Sequence, residues 1–129
     1  MADKPRVLLV DDEPSIVKMV GKRLETEGFQ VSVAMDGQEA LAKIQSEHPD
    51  LVILDLSLPD IDGLEGCSQL KAYPKTRALP ILLLTARAST QAKLLAVEYG
   101  ADHYFTKPIP EIGEFQSLVA AFLRRKSHL

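Results

Sequence analysis

Short apolar runs and amphipathic stretches alternate along this chain, five of each. The strand candidates are VLLV (7–10), VSVA (31–34), LVIL (51–54), ILLL (81–84) and a shorter, mixed HYF (103–105). The segments between them place apolar residues at helical spacing. Behind Pro14, a favourable first-turn residue, Ile16, Val17, Val20 and Leu24 form the first stripe. GQEALAKIQSE predicts a second helix that buries Ala40, Leu41 and Ile44. A third begins near Gly63 and carries Leu64, Cys67 and Leu70. A fourth, from Ser89, offers Leu94, Leu95 and Val97, and the last shows the clearest stripe, Phe115, Leu118, Val119, Phe122 and Leu123.

Strand–helix alternation at this spacing predicts right-handed crossovers and a parallel sheet covered by helices on both faces. VLLV, LVIL and ILLL are apolar throughout, as strands buried on both faces are. VSVA alternates and HYF is short, which puts both at edges. With strands two and five outside, the pattern fits a single doubly wound (βα)5 α/β domain with strand order 2-1-3-4-5. Residues 1–129 read as one domain with a structured core over about 5–125, and no repeat or internal linker interrupts them. The polar loop YPKTRALP (73–80) reads as a helix exit.

Composition narrows the function classes. Apolar residues make up 46% of the 129 positions and charged residues 26%, ordinary values for a globular domain. No apolar run approaches the roughly 18–20 residues that span a bilayer. The opening MADKPRVLLVDDEP has only a short apolar stretch before two acids, unlike a secretory leader. The single cysteine, Cys67, forms no internal disulfide and belongs to no zinc pattern. A cytoplasmic protein without membrane contact is expected. Net charge is −3, and the dense basic cluster is Arg124, Arg125 and Lys126, where a helix C-terminus welcomes cations. That balance argues against nucleic-acid binding by the domain itself, since phosphate neutralisation dominates such binding.

Ligands of doubly wound sheets bind beyond the carboxyl ends of the strands. Strand one ends in Asp11 and Asp12, strand three in Asp55 and strand four in Thr85, while Lys107 follows strand five. Taken singly, each has an ordinary structural use. Asp11 or Asp12 can cap the first helix, Asp55 can start the turn before Pro59 and Gly63, Thr85 can cap, and Lys107 can be solvated. The fold brings them to one edge together. Three clustered acids repel one another, and a hard divalent cation relieves that repulsion. Mg²⁺ fits best, because it takes few carboxylates, keeps waters and accepts phosphate oxygens as further ligands. A carboxylate beside Mg²⁺, a lysine and a hydroxyl suits phosphoryl acceptance, with Asp55 as the nucleophile and Lys107 and Thr85 meeting the phosphoryl oxygens.

VLLVDDEP, LVILDLSLPDIDGLE, PILLLTA and GADHYFTKPI closely resemble the receiver domain of two-component response regulators, over essentially the whole chain. The resemblance implies a flavodoxin-like fold and a switch, not a metabolic enzyme, that catalyses only its own phosphorylation and dephosphorylation. It implies Asp55 as phosphoacceptor, with Asp12 and Asp55 binding Mg²⁺ directly. The backbone carbonyl of Ser57 supplies a further ligand, and Asp11 holds a metal-bound water. Thr85 and Tyr104 become the switch pair, and Lys107–Pro108 a cis peptide. The implied partners are a sensor histidine kinase or phosphotransfer protein and an output domain or downstream protein. The changing face is the fourth helix, fifth strand and fifth helix, through which a homodimer is also expected. Pro110, Ile112 and Gly113 depart from the usual start of the last helix, and Arg87 occupies a position the family varies.

Two other classes compete. An aspartyl-phosphate phosphatase usually carries a second acid two residues after its nucleophile, where this chain has Ser57. A receiver-like binding module that never takes phosphate would not need all the chemical positions this chain retains.

Overall fold

The computed structural model describes residues 4–55, 63–85, 94, 97–106, 117, 120 and 121. Its strands are β1 (Arg6–Val10), β2 (Gln30–Ala34), β3 (Leu51–Asp55), β4 (Ile81–Thr85) and β5 (His103–Thr106). Its helices are α1 (Pro14–Thr26), α2 (Gly37–Glu47) and α3 (Gly63–Ala72). Leu94, Val97 and Glu98 are also helical, as are Ser117, Ala120 and Ala121, within the fourth and fifth helices the sequence predicts.

The strands form one parallel sheet in the order β2-β1-β3-β4-β5, as expected from the apolar centre and mixed edges. Side chains alternate across it, so each strand feeds two cores. Leu8, Val10, Val52, Leu54, Ile81 and Leu83 pack with Ala40 and Ile44 of α2 and Cys67 and Leu70 of α3. Val7, Leu9, Leu51, Ile53, Leu82 and Leu84 pack with Val20 and Leu24 of α1 on the other face. The doubly wound architecture follows from this division.

Local chemistry sets the element ends. Asp36 caps α2, its side chain accepting from the Glu39 amide at 2.8 Å. The helix exits through His48 in the left-handed region, φ 51°, before Pro49. Two aspartates repeat one device at strand starts. Asp50 exchanges bonds with Arg6, amide to carbonyl at 2.8 Å and carboxylate from amide at 2.8 Å. Asp102 does the same with Ile81, at 2.9 and 2.8 Å. The Asp102 carboxylate also receives Lys71 Nζ at 2.9 Å, and that ammonium reaches the Leu79 carbonyl at 2.9 Å. Together they clasp the end of α3 to the starts of β4 and β5. Gly100 allows the close approach, since a Cβ there would stand 2.9 Å from Lys71 Cγ with φ at +95°. Asp102→Ala would strand the amide of fully buried Ile81, a loss of roughly 1–3 kcal/mol. Urea unfolding is expected to show it; an unchanged midpoint would contradict the clasp.

One helix expectation, the burial of Leu41, needs correction. Leu41 is 38% exposed, because α2 turns Ala40 and Ile44 to the sheet and leaves Leu41 at the flank of that stripe. Leu94 and Val97, 66% and 72% exposed, lie outside the core. Leu95 and the stripe residues Phe115, Leu118, Val119, Phe122 and Leu123 are outside the described residues.

Cys67 is fully buried on α3. Burial pushes its thiol up from 9.0 to about 11, with Lys71 opposing and Asp102 adding to the rise. A value raised in the folded state means the fold favours the neutral thiol. That contribution is complete below pH 9 and is lost as pH climbs through about 11. At pH 8 native protein should therefore resist iodoacetamide while urea-unfolded protein alkylates freely. Equal rates would contradict the burial.

Candidate functional site

The carboxyl edge of the sheet gathers acids because two adjacent strands, β1 and β3, finish there. Val10 pairs with Leu54 across β1 and β3, so the next residues, Asp11 and Asp55, come side by side at the tips. Asp55 closes β3 and pairs in register with Leu84, one residue before Thr85. The strand therefore ends in the acid, as the sequence predicts. By alternation Asp55 shares the face of Ile53, the α1 side.

Asp11 is held from two directions. Its amide donates to the Ala34 carbonyl at 3.1 Å, and its Oδ1 accepts from the Glu13 amide at 3.0 Å. The α1 N-cap is Glu13, without a side-chain cap bond, so neither Asp11 nor Asp12 fills the capping role open to it in the sequence. The positive end of the α1 dipole, beginning at Pro14, still favours negative charge nearby.

Asp11, Asp12 and Asp55 each present a carboxylate oxygen, all within 4.8 Å of one another. Asp11 and Asp55 are buried, at 0% and 3% exposure, while Asp12 faces solvent. Two buried carboxylates beside a third repel one another, and a cation is the simplest relief. Oxygens on opposite sides of an octahedral Mg²⁺ stand about 4.2 Å apart, twice the metal–oxygen distance. The cluster thus has about the span of a small cation's inner shell. Its all-oxygen donor set suits a hard ion over a soft one. The residues fit a divalent metal.

Matches to known proteins agree with this arrangement. The family model of the response regulator receiver domain matches residues 7–120. This chain belongs to the response regulator receiver family. The receiver is 46% identical over 120 residues to the alkaline phosphatase synthesis transcriptional regulatory protein PhoP of Bacillus subtilis, covering 93% of this chain and 49% of the relative. It is 44% identical over 124 residues to the transcriptional regulatory protein TrcR of Mycobacterium tuberculosis, covering 96% and 47%. The chain thus spans about half the length of these curated relatives. A CheY-like receiver domain structure from Methanospirillum hungatei superposes with a TM-score of 0.88 at 28% identity, covering 98% of both chains. The receiver is a signalling domain of two-component systems, and its sheet order is the one this family uses.

The remaining expected site residues are placed unevenly. Thr85 ends β4, with its backbone in register with Thr106, the residue before Lys107. Tyr104 lies on β5 opposite Leu83, half-buried against the α2–α3 core. Ser57, Arg87, Lys107, Pro108, Pro110, Ile112, Gly113 and the basic 124–126 cluster lie outside the described residues. Among the described residues no helix is long and apolar enough to cross a membrane. The Lys71–Asp102 clasp escaped sequence reasoning, since nothing in either residue's neighbourhood marks a partner 31 positions away.

Proposed function

We propose that this receiver takes a phosphoryl group on Asp55 from a sensor histidine kinase or phosphotransfer protein, with Mg²⁺ held by the acid cluster. The reading rests chiefly on one observation, the convergence of Asp11, Asp12 and Asp55 at the strand tips with Asp55 nearly buried on a rigid strand. Asp12 and Asp55 would hold the metal directly with the Ser57 carbonyl, and Asp11 through a water. When bound, Mg²⁺ supplies charge neutralisation of the incoming phosphoryl oxygens. A carboxylate oxygen of Asp55 forms the new bond to phosphorus as the bond to the donor breaks, and the donor leaves with that electron pair. Lys107 and Thr85 meet the transferred oxygens.

The switch in this reading runs from Thr85 to Tyr104, whose half-buried ring would pack further against the core as Thr85 moves toward the phosphoryl group. A new hydrogen bond and aromatic burial amount to roughly 1–3 kcal/mol, enough to shift a two-state population. Exposed Leu94 and Val97 support a docking role for the fourth-helix face, either for a partner or for a homodimer. The names of PhoP and TrcR, both transcriptional regulatory proteins, favour control of transcription as the output. Amide spectra of the protein with Mg²⁺, before and after adding beryllofluoride as a phosphoryl mimic, test the route. Shifts are expected at Asp55 and also at Tyr104 and residues 97–106. Shifts confined to the strand tips would refute it.

A further inference from the structure

Away from the acid cluster, α2 and the turn after α3 enclose a groove of about 600 Å³. Leu41, Ile44 and Leu70 line it with Tyr73 and Pro74, and Gln45, Gln69, Lys75 and Thr76 complete the lining. Leu41 is here because α2 leaves it off the sheet-facing stripe, and Tyr73, just past the end of α3, is 65% exposed. Leu41 and Tyr73 belong to neither core, while Ile44 and Leu70 are buried members of the α2–α3 core. Among the described residues, the groove's one charged lining residue is the cation Lys75, and no acid lines it.

The dimensions decide between two kinds of occupant. A stable protein interface uses about 20–30 residues a side, far more than line this groove. Small-molecule sites fall at about 300–1,000 Å³, apolar with a few polar groups that fix orientation, and the groove matches both terms. A flat aromatic wall and aliphatic floor suit an alkyl or aryl body. The amides and Lys75 suit a single anionic head at the rim. We propose that the α2–α3 groove is a binding site for a small amphiphilic anion, an apolar body bearing one carboxylate. Its floor residues Leu41, Ile44 and Leu70 also border a small crevice of about 10 Å³ reaching Val10 and Leu54. The ligand would therefore sit one side-chain layer from the strands that carry Asp11 and Asp55. The site is independent of the phosphoryl chemistry.

Octanoate, titrated into labelled full chain below its micellar concentration, tests this by amide NMR, with octanol and octylammonium as controls. Saturable shifts are expected at Leu41, Gln45, Gln69, Leu70 and Tyr73. Octanol should bind about 3- to 5-fold more weakly, the size of one solvent-exposed ion pair, and octylammonium more weakly still. Lys75→Glu, at an exposed position, should weaken octanoate by at least as much without moving the octanol titration. Leu41→Gln should weaken all three. Scattered non-saturating shifts, equal binding of octylammonium, or indifference to Lys75→Glu would overturn the proposal. So would shifts of the same residues with protein concentration alone, which would make the groove a contact between copies of this chain.

Discussion

Asp55→Asn is expected to abolish uptake of a phosphoryl group from a small acyl-phosphate donor. The amide keeps the size and shape of the side chain at the tip of β3, so the strand and its pairing with β4 survive. What it removes is the nucleophilic oxygen pair. Neither neighbouring acid can replace it. Asp11 is tied to the Glu13 amide ahead of α1, and Asp12, in the proposed arrangement, is taken up as a direct metal ligand. Intact mass after incubation with acetyl phosphate and Mg²⁺ should show one added phosphoryl group in the parent and none in the variant. A variant still modified to the parent's extent would place the acceptor elsewhere.

The second large effect is on metal binding. Asp12→Ala removes the solvent-facing member of the cluster and, in the proposed arrangement, a direct ligand. Losing even an outer-shell partner of a metal ligand typically costs about 10- to 100-fold in affinity, so Mg²⁺ should bind at least about 10-fold more weakly. The metal-free protein should respond in the opposite direction. With one charge gone, Asp11 and Asp55 are repelled less, and apo stability should rise by about 0.5–1 kcal/mol, the scale of a partly solvated charge pair. Mg²⁺ titration followed by thermal unfolding reads both effects. The parent should gain stability with added Mg²⁺ by mass action, and the variant should gain much less. Equal Mg²⁺ responses in the two proteins would remove Asp12 from the site.

How much of this was legible in the sequence depends on the physical signal each feature leaves. VLLV, LVIL and ILLL read as central strands because burial on two faces permits no polar residue, and that contrast with VSVA and HYF marked the two edges, which a known doubly wound order fits. Asp11, Asp12 and Asp55 read as a site because a parallel sheet brings strand ends together whatever the loops do. Periodicity was weaker on helices. In α2 it could not tell that Leu41, next to Ile44 on the helix surface, would miss the sheet and floor a groove. Leu94 and Val97 carried a core-like spacing yet lie on the surface, since an apolar stripe does not say whether it faces a core or a partner. The reciprocal aspartate bonds of Asp50 and Asp102 left no trace, because pairing between distant polar side chains has no local pattern. Asp55 read correctly as the last residue of its strand, because the unbroken apolar run leads straight into it and a turn follows.

The central claim is that the acid cluster at the strand tips accepts a phosphoryl group on Asp55 in a metal-dependent step. The most direct measurement traps the product. Protein incubated with acetyl phosphate, with and without Mg²⁺, is reduced by borohydride, which converts an aspartyl phosphate to homoserine, and the digested peptides are sequenced by mass spectrometry. Homoserine at position 55 alone, and only in the presence of Mg²⁺, is the expected result. Homoserine at Asp11 or Asp12, or equal conversion of Asp55 without the metal, would contradict it.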